Sequence, residues 1–361
     1  MSETIPPTRR SAQDFETAVD SADRRVAAFD PHRRGPVEKL QHVLHSNPTL
    51  VPVIVLLGAV AVFGVVSGSK FFSAFNLTLI MQQVSIIGIL AAAQSLIVLT
   101  AGIDLSVAAI MVLMSVIAGN LAVYSGVPAF LALIIAFVGG TAAGMFNGFL
   151  VTRVKLPPFI TTLGTWSIFY ALTLWLSGAQ SIRSQDIDSA APLLKVFGET
   201  IAIGPARITY GSILMVLVFL VLWYMLNRTA WGRHVYAVGD DAEAAELAGI
   251  RTGRTLMSVY ALAGFVCGIA AWASIGRVGS VSPTSFFEAN LESITAVVIG
   301  GISLFGGRGS ILGALFGALI VCVFSLGLRL LGADAQWTYF FIGVLIIVAV
   351  AVDQWIRKVS V

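Results

Sequence analysis

Apolar runs, most of them long enough to cross a bilayer, follow one another from residue 51 to residue 352, and that leaves few ways to fold this chain. A helix crosses about 30 Å of hydrocarbon with roughly 20 apolar residues, and inside that layer each backbone amide must pair within the protein. The runs are residues 51–67, 77–100, 107–124, 129–152, 159–177, 211–226, 255–275, 291–302, 310–331 and 337–352, of which 291–302 is short. Only 11% of the 361 residues are charged, against roughly 25% in soluble domains. The expected fold is an all-α polytopic membrane protein with about ten transmembrane helices.

Cations orient it. Residues 1–48 carry seven (Arg9, Arg10, Arg24, Arg25, Arg33, Arg34 and Lys39) and read as a largely disordered cytoplasmic tail. Arg153 and Lys155, the group Arg228, Arg233, Arg251 and Arg254, and the terminal Arg357 and Lys358 then fall on one side. With an even span count both termini are cytoplasmic, and residues 49–356 form the transmembrane domain with a cytoplasmic loop at 227–255. The first apolar run begins only near Leu50, so no cleavable signal is expected. A net charge of +3 placed in loops and tails calls for no nucleic-acid partner.

Polar groups inside apolar runs are few and therefore informative. Gln82, Gln83 and Gln94 stand in the second run, where lipid would not tolerate their amides, and they are expected to line a solute path. Asp104, in the break Ala101-Gly102-Ile103-Asp104-Leu105-Ser106, can cap the next helix or face that path. Asn76 is expected to cap the second span. Glycines four apart at Gly140, Gly144 and Gly148, again at Gly264 and Gly268, and at Gly309, Gly313 and Gly317 mark helix faces that approach closely. Five of the ten residues 300–309 are glycine (Gly300, Gly301, Gly306, Gly307 and Gly309), which reads as a structural turn. No Gly-x-x-x-x-Gly-Lys-Ser/Thr occurs, so a nucleotide site is not expected there. Residues 178–210 read as an ordered external loop with a short helix.

The long polar interruption at 227–254 holds one short helix built to be touched. Asp240 or Asp241 can cap it, Ala242 to Ala248 are mostly strong helix formers, and Gly249 suits the position past its end. Glu243 adds charge at its start, and Ala244, Ala245 and Leu247 are apolar knobs. A helix of two turns is marginal alone, so a partner is expected to pack on it.

Motifs for chemistry are missing: there is no His-Glu-x-x-His, no paired-carboxylate motif, no nucleophile with a base, and no metal spacing around Cys267 or Cys322. Neither an enzyme nor a cofactor is indicated. A path lined by Gln, Ser, Thr and Asn, without an evident coupling ion, suits a neutral hydroxylated solute driven by energy from outside the chain. The alternative is a stand-alone secondary carrier.

Four separated segments resemble the permeases of ribose/xylose/arabinose-type ABC importers. They are Ala101 to Val107, Asn147-Gly148 leading to Leu156 through Gly164, Ala237-Val238-Gly239 through to Gly249-Ile250, and Gly300 to Gly309. The resemblance covers roughly residues 50–356. It implies a type II permease architecture, like that of the vitamin B12 importer, in a bacterial inner membrane. It also implies a second permease copy, cytoplasmic ABC ATPase subunits docked on the 240–249 helix, and a periplasmic sugar-binding protein. Departures from the family pattern are Ala101 for the usual Gly, Ala108, and Asp240-Asp241 for Gly-Asn.

Overall fold

The computed structural model describes residues 49–357, which lie in one of the chain's two compact units, Ser46–Val361. The tail expected at residues 1–48 lies outside the described residues. Helices dominate: α1 (Leu50–Ser67), α2 (Ala74–Val98), α3 (Val107–Gly119, continued by a π turn), α4 (Ala129–Thr152) and α5 (Pro158–Ser177) come first. Then follow α6 (Ser184–Ala190), the antiparallel strands β1 (Thr200–Ile203) and β2 (Ala206–Thr209), and α7 (Tyr210–Arg228). The chain continues through α8 (Ala230–Asp240), α9 (Ala242–Leu247), α10 (Thr252–Val278), α11 (Ala289–Ile299), α12 (Ile311–Leu330) and α13 (Ala335–Arg357).

Side-chain oxygens start many of these helices. Ser73, Thr209, Thr229 and Ser310 each accept a first-turn backbone N–H, and Pro158 opens α5 where its missing N–H costs nothing. Asn76 is not the cap of α2; it donates its amide back to the Lys70 carbonyl at 2.7 Å and gives its own N–H to Ser73. Left-handed Gly178 and Gly279 end α5 and α10.

Helix α2 is the axis of the bundle. Every residue from Val84 to Val98 is buried, because α7, α10, α11 and α12 surround it. Lipid removes the hydrophobic drive between helices, so close backbone packing must hold them together. The glycine spacing delivers it where α4 crosses α10: a Cβ added to Gly140 would lie 2.5 Å from the Gly264 carbonyl oxygen. Outward, α1 presents Ile54, Leu57, Val65 and Val66, an apolar face suited to lipid.

Among the described residues, eight helices are long and apolar enough to cross a membrane, as expected for a polytopic membrane protein. Of the ten runs read from sequence, 291–302 is a shorter apolar helix, Ala289–Ile299, while the last lies in the 23-residue α13. The former ends at Gly300-Gly301, where Gly301 turns left-handed, so α11 has 11 residues and spans only about 16 Å. The fold is also not purely helical, since β1 and β2 make a small hairpin around Gly204, which has φ +59°. Residues 230–240, read as part of the polar interruption outside the short helix, are helical as α8.

Candidate functional site

At one end of the bundle, α8, α9, the glycine-rich turn and the end of α2 meet. Helix α8 turns Gly232, Val235, Val238 and Gly239 inward and leaves Arg233, His234 and Asp240 exposed. Trp231 Nε1 donates to Ser258 Oγ on α10 at 2.8 Å, and the Tyr236 hydroxyl donates to the Gly309 carbonyl at 3.0 Å. Burial pushes the Tyr236 phenol above its ordinary pKa. The turn 300–309 runs through left-handed Gly301, Gly306, Gly307 and Gly309, and the Gly307 N–H donates to the Leu99 carbonyl at 3.0 Å. A Cβ on Gly239 would sit 2.7 Å from that same Gly307 nitrogen, so this junction accepts no side chain. Gly300, where α11 stops, packs as tightly on Gly313 of α12.

On this base stands α9. Asp241 Oδ1 accepts the N–H groups of Glu243 and Ala244, both at 2.9 Å, so Asp241 rather than Asp240 is the cap. Gly249, at φ +86°, ends the helix. Ala245 is buried, while Asp240, Asp241, Glu243, Ala244 and Gly249 are exposed and Leu247 is 86% exposed. Leu247 is thus a large apolar side chain in the open on a capped helix.

A second polar assembly holds the irregular backbone of residues 99–106. Asp104 is buried, and its Oδ1 accepts both the N–H and the hydroxyl of Ser106 at 2.6 Å. Asn147 of α4 donates to Ser106 Oγ at 2.8 Å and reaches Asp104 Oδ2 at 3.4 Å. Gln94, fully buried, pairs with the Asp104 backbone in the amide orientation that satisfies both ends: Nε2 donates to the carbonyl at 3.0 Å and Oε1 accepts the N–H at 3.3 Å. Thr162 of α5 accepts the Leu105 N–H at 3.1 Å. Buried non-helical backbone needs such partners. The first-turn N–H of Ala108 in α3 goes to Asn290 Oδ1 at 2.7 Å, not to Asp104.

The four polar residues singled out as path candidates thus fall into two places. Gln94 and Asp104 sit together in this node. Gln82 and Gln83 are half-buried, about 16 Å away along α2, where Gln83 Oε1 accepts from Arg329 at 2.9 Å. Sequence reasoning assigned no role to the side chains of Asn147, Thr162 or Asn290. The signal was available for two: Asn147 and Thr162 are polar side chains inside apolar runs, whereas Asn290 stands just before one.

Comparison with known proteins places these features in context. The family described as branched-chain amino acid transport system / permease component matches residues 76–350. A fructose import permease protein of Rhizobium meliloti is 59% identical over 349 residues, 97% of each chain. A ribose import permease protein of Bacillus subtilis is 36% identical over 285 residues, 79% of this chain and 86% of that one. A galactose/methyl galactoside import permease protein of Escherichia coli is 30% identical over 315 residues, 84% of this chain and 92% of that one. No solved structure matches the chain.

Proposed function

This chain belongs to the family of transport-system permease components, and on that premise we propose that it is the membrane subunit of an ATP-driven monosaccharide importer in the bacterial inner membrane. The observation that carries the reading is the 59% identity, along 97% of both chains, with a permease named for fructose import. Fructose is accordingly the first sugar to try among pentoses and hexoses. A stand-alone carrier is set aside, because these relatives are permease proteins of import systems.

In this reading the chain hydrolyses no ATP itself. Cytoplasmic ATPase subunits seat on α9, and the exposure of Leu247 and Ala244 beside the buried Ala245 supports that assignment. Asp240, Asp241 and Glu243 add negative charge that suits a basic cleft. A periplasmic binding protein delivers the sugar, and a second copy of the chain completes the path in a type II architecture. Counting α11 and α13 as crossings gives ten spans with both termini cytoplasmic. The hydrogen bond from Gly307 to Leu99, beside Asp240, favours that count, since it keeps three loops at one end. Gln82 and Gln83 face the path, while Gln94 and Asp104 hold the backbone that shapes it.

Deleting the gene and restoring it from a plasmid tests the reading through uptake of labelled fructose, ribose, allose and galactose. Uptake of at least one sugar should vanish and return. Unchanged uptake of all of them contradicts the proposal.

A further inference from the structure

Partway along α5, away from α9, a half-open pocket lies between α3, α5 and residues 283–290. Trp166 and Tyr170, one turn apart on α5, hold their rings nearly parallel with centroids 6.0 Å apart. Phe287 stands edge-on to both, at 5.7 and 6.4 Å. Asn290 also lines the cavity and is only 7% exposed. Its Oδ1 is committed to the Ala108 N–H, while its Nδ2 has no hydrogen-bond partner among the described residues. Thr173 and Ser285 add hydroxyls, and no charged side chain lines the space.

Depth strengthens the case. From Gly300, at the end shared with α9, the 11 residues of α11 climb only about 16 Å, half of the hydrocarbon thickness. Trp166, Tyr170 and Thr173 lie along the middle of the 20-residue α5. Residues 283–288, which precede α11, are therefore irregular backbone that stops short of the outer ends of the longer helices. Such backbone is tolerated there where it is buried in protein or faces a solute space, and transporter sites sit at such broken helices. Phe286 has a left-handed φ of +60°, a strained conformation for a bulky side chain.

We propose that this cavity is a monosaccharide subsite of the translocation path, resting on the importer reading above. The C–H groups on one face of a sugar ring carry slight positive charge and pack on the negative faces of Trp166, Tyr170 and Phe287. Its hydroxyls accept from Asn290 Nδ2 and exchange hydrogen bonds with Thr173 and Ser285. An amino acid would bring an ammonium group for which the cavity offers no counter-charge, so the neutral lining selects a sugar over the solute in the family's description. Epimers present different C–H faces, so the three rings also discriminate among sugars.

The test uses the complete transporter, with its ATPase and binding protein, in liposomes. Uptake rates of two labelled monosaccharides that the binding protein delivers are compared, alongside ATP hydrolysis. Phe287→Ala suits the test because Phe287 is 62% exposed and its loss spares the fold. That variant and Tyr170→Leu should each shift the ratio of the two rates about two- to tenfold, with ATP hydrolysis retained. Phe287→Tyr should keep the wild-type ratio. An unchanged ratio in both truncations overturns the subsite while leaving the importer reading intact. Uptake of both sugars falling in parallel with ATP hydrolysis also overturns it, since that is the mark of a structural role. A wild-type complex that moves no monosaccharide defeats the importer reading and the subsite together.

Discussion

Replacing Leu247 by Ala should cripple assembly with the ATPase without touching the stability of the permease. Leu247 is 86% exposed, whereas Ala245 on the same short helix is 5% exposed and packs inward. The chain's own fold therefore gains nothing from the leucine side chain, and the Tm of the purified permease should not move. Burying a leucine fully is worth about 1.5–3 kcal/mol, and alanine retains a part of that, so the expected loss is about 1–2 kcal/mol. That corresponds to a roughly five- to thirtyfold weaker Kd. Titrating the ATPase onto the permease in nanodiscs reads the affinity, and sugar uptake reads the consequence. The companion Ala244→Trp adds bulk on the exposed side and should weaken the same contact by about 1–3 kcal/mol if the cleft is tight. Wild-type affinity and uptake in both variants, at equal membrane abundance, refutes the docking role of α9. A fall in Tm for Leu247→Ala would refute the premise that its side chain is free.

Three further outcomes check other parts of the account. In a chain without Cys267 and Cys322, Ser184→Cys and Ser280→Cys should react with an impermeant thiol reagent from outside and Ala242→Cys should not; external labelling of Ala242→Cys contradicts the topology. Gly140→Leu should lower the Tm and the yield, because even a Cβ there would meet the Gly264 carbonyl at 2.5 Å; overpacking typically costs about 1–3 kcal/mol. Asp104→Leu should destabilise by about 1–3 kcal/mol for each buried donor it strands, the Ser106 N–H first, while Asp104→Asn keeps an acceptor and should be mild, as melting curves of the two variants will tell.

Local chemistry made α9 legible in the sequence. A carboxylate followed by strong helix formers and a glycine has one economical reading, and Asp241 and Gly249 fulfil it. The glycine stripe of α4 was equally readable, since spacing by four has a direct geometric meaning. Hydropathy marked the run at α11 as short, and the backbone turn at Gly301 sets where its helix ends. Hydropathy failed at α8 because Arg233 and His234 mask an inward face at Gly232, Val235 and Val238 that keeps helical spacing. The hairpin carried a turn signal at Gly204-Pro205 between runs rich in isoleucine, which the general polarity of the loop obscured. The sequence marked single members of the polar node, but not which of them meet. Its members come from five helices, and the bond between Asn290 and Ala108 joins residues 182 positions apart.

Reconstitution tests the central claim most directly. The chain is placed in liposomes alone, then with its ATPase and binding protein, and accumulation of labelled monosaccharide is measured with ATP, without ATP, and under imposed proton or sodium gradients. The account predicts accumulation only in the complete system and only with ATP. Gradient-driven accumulation by the chain alone would contradict it.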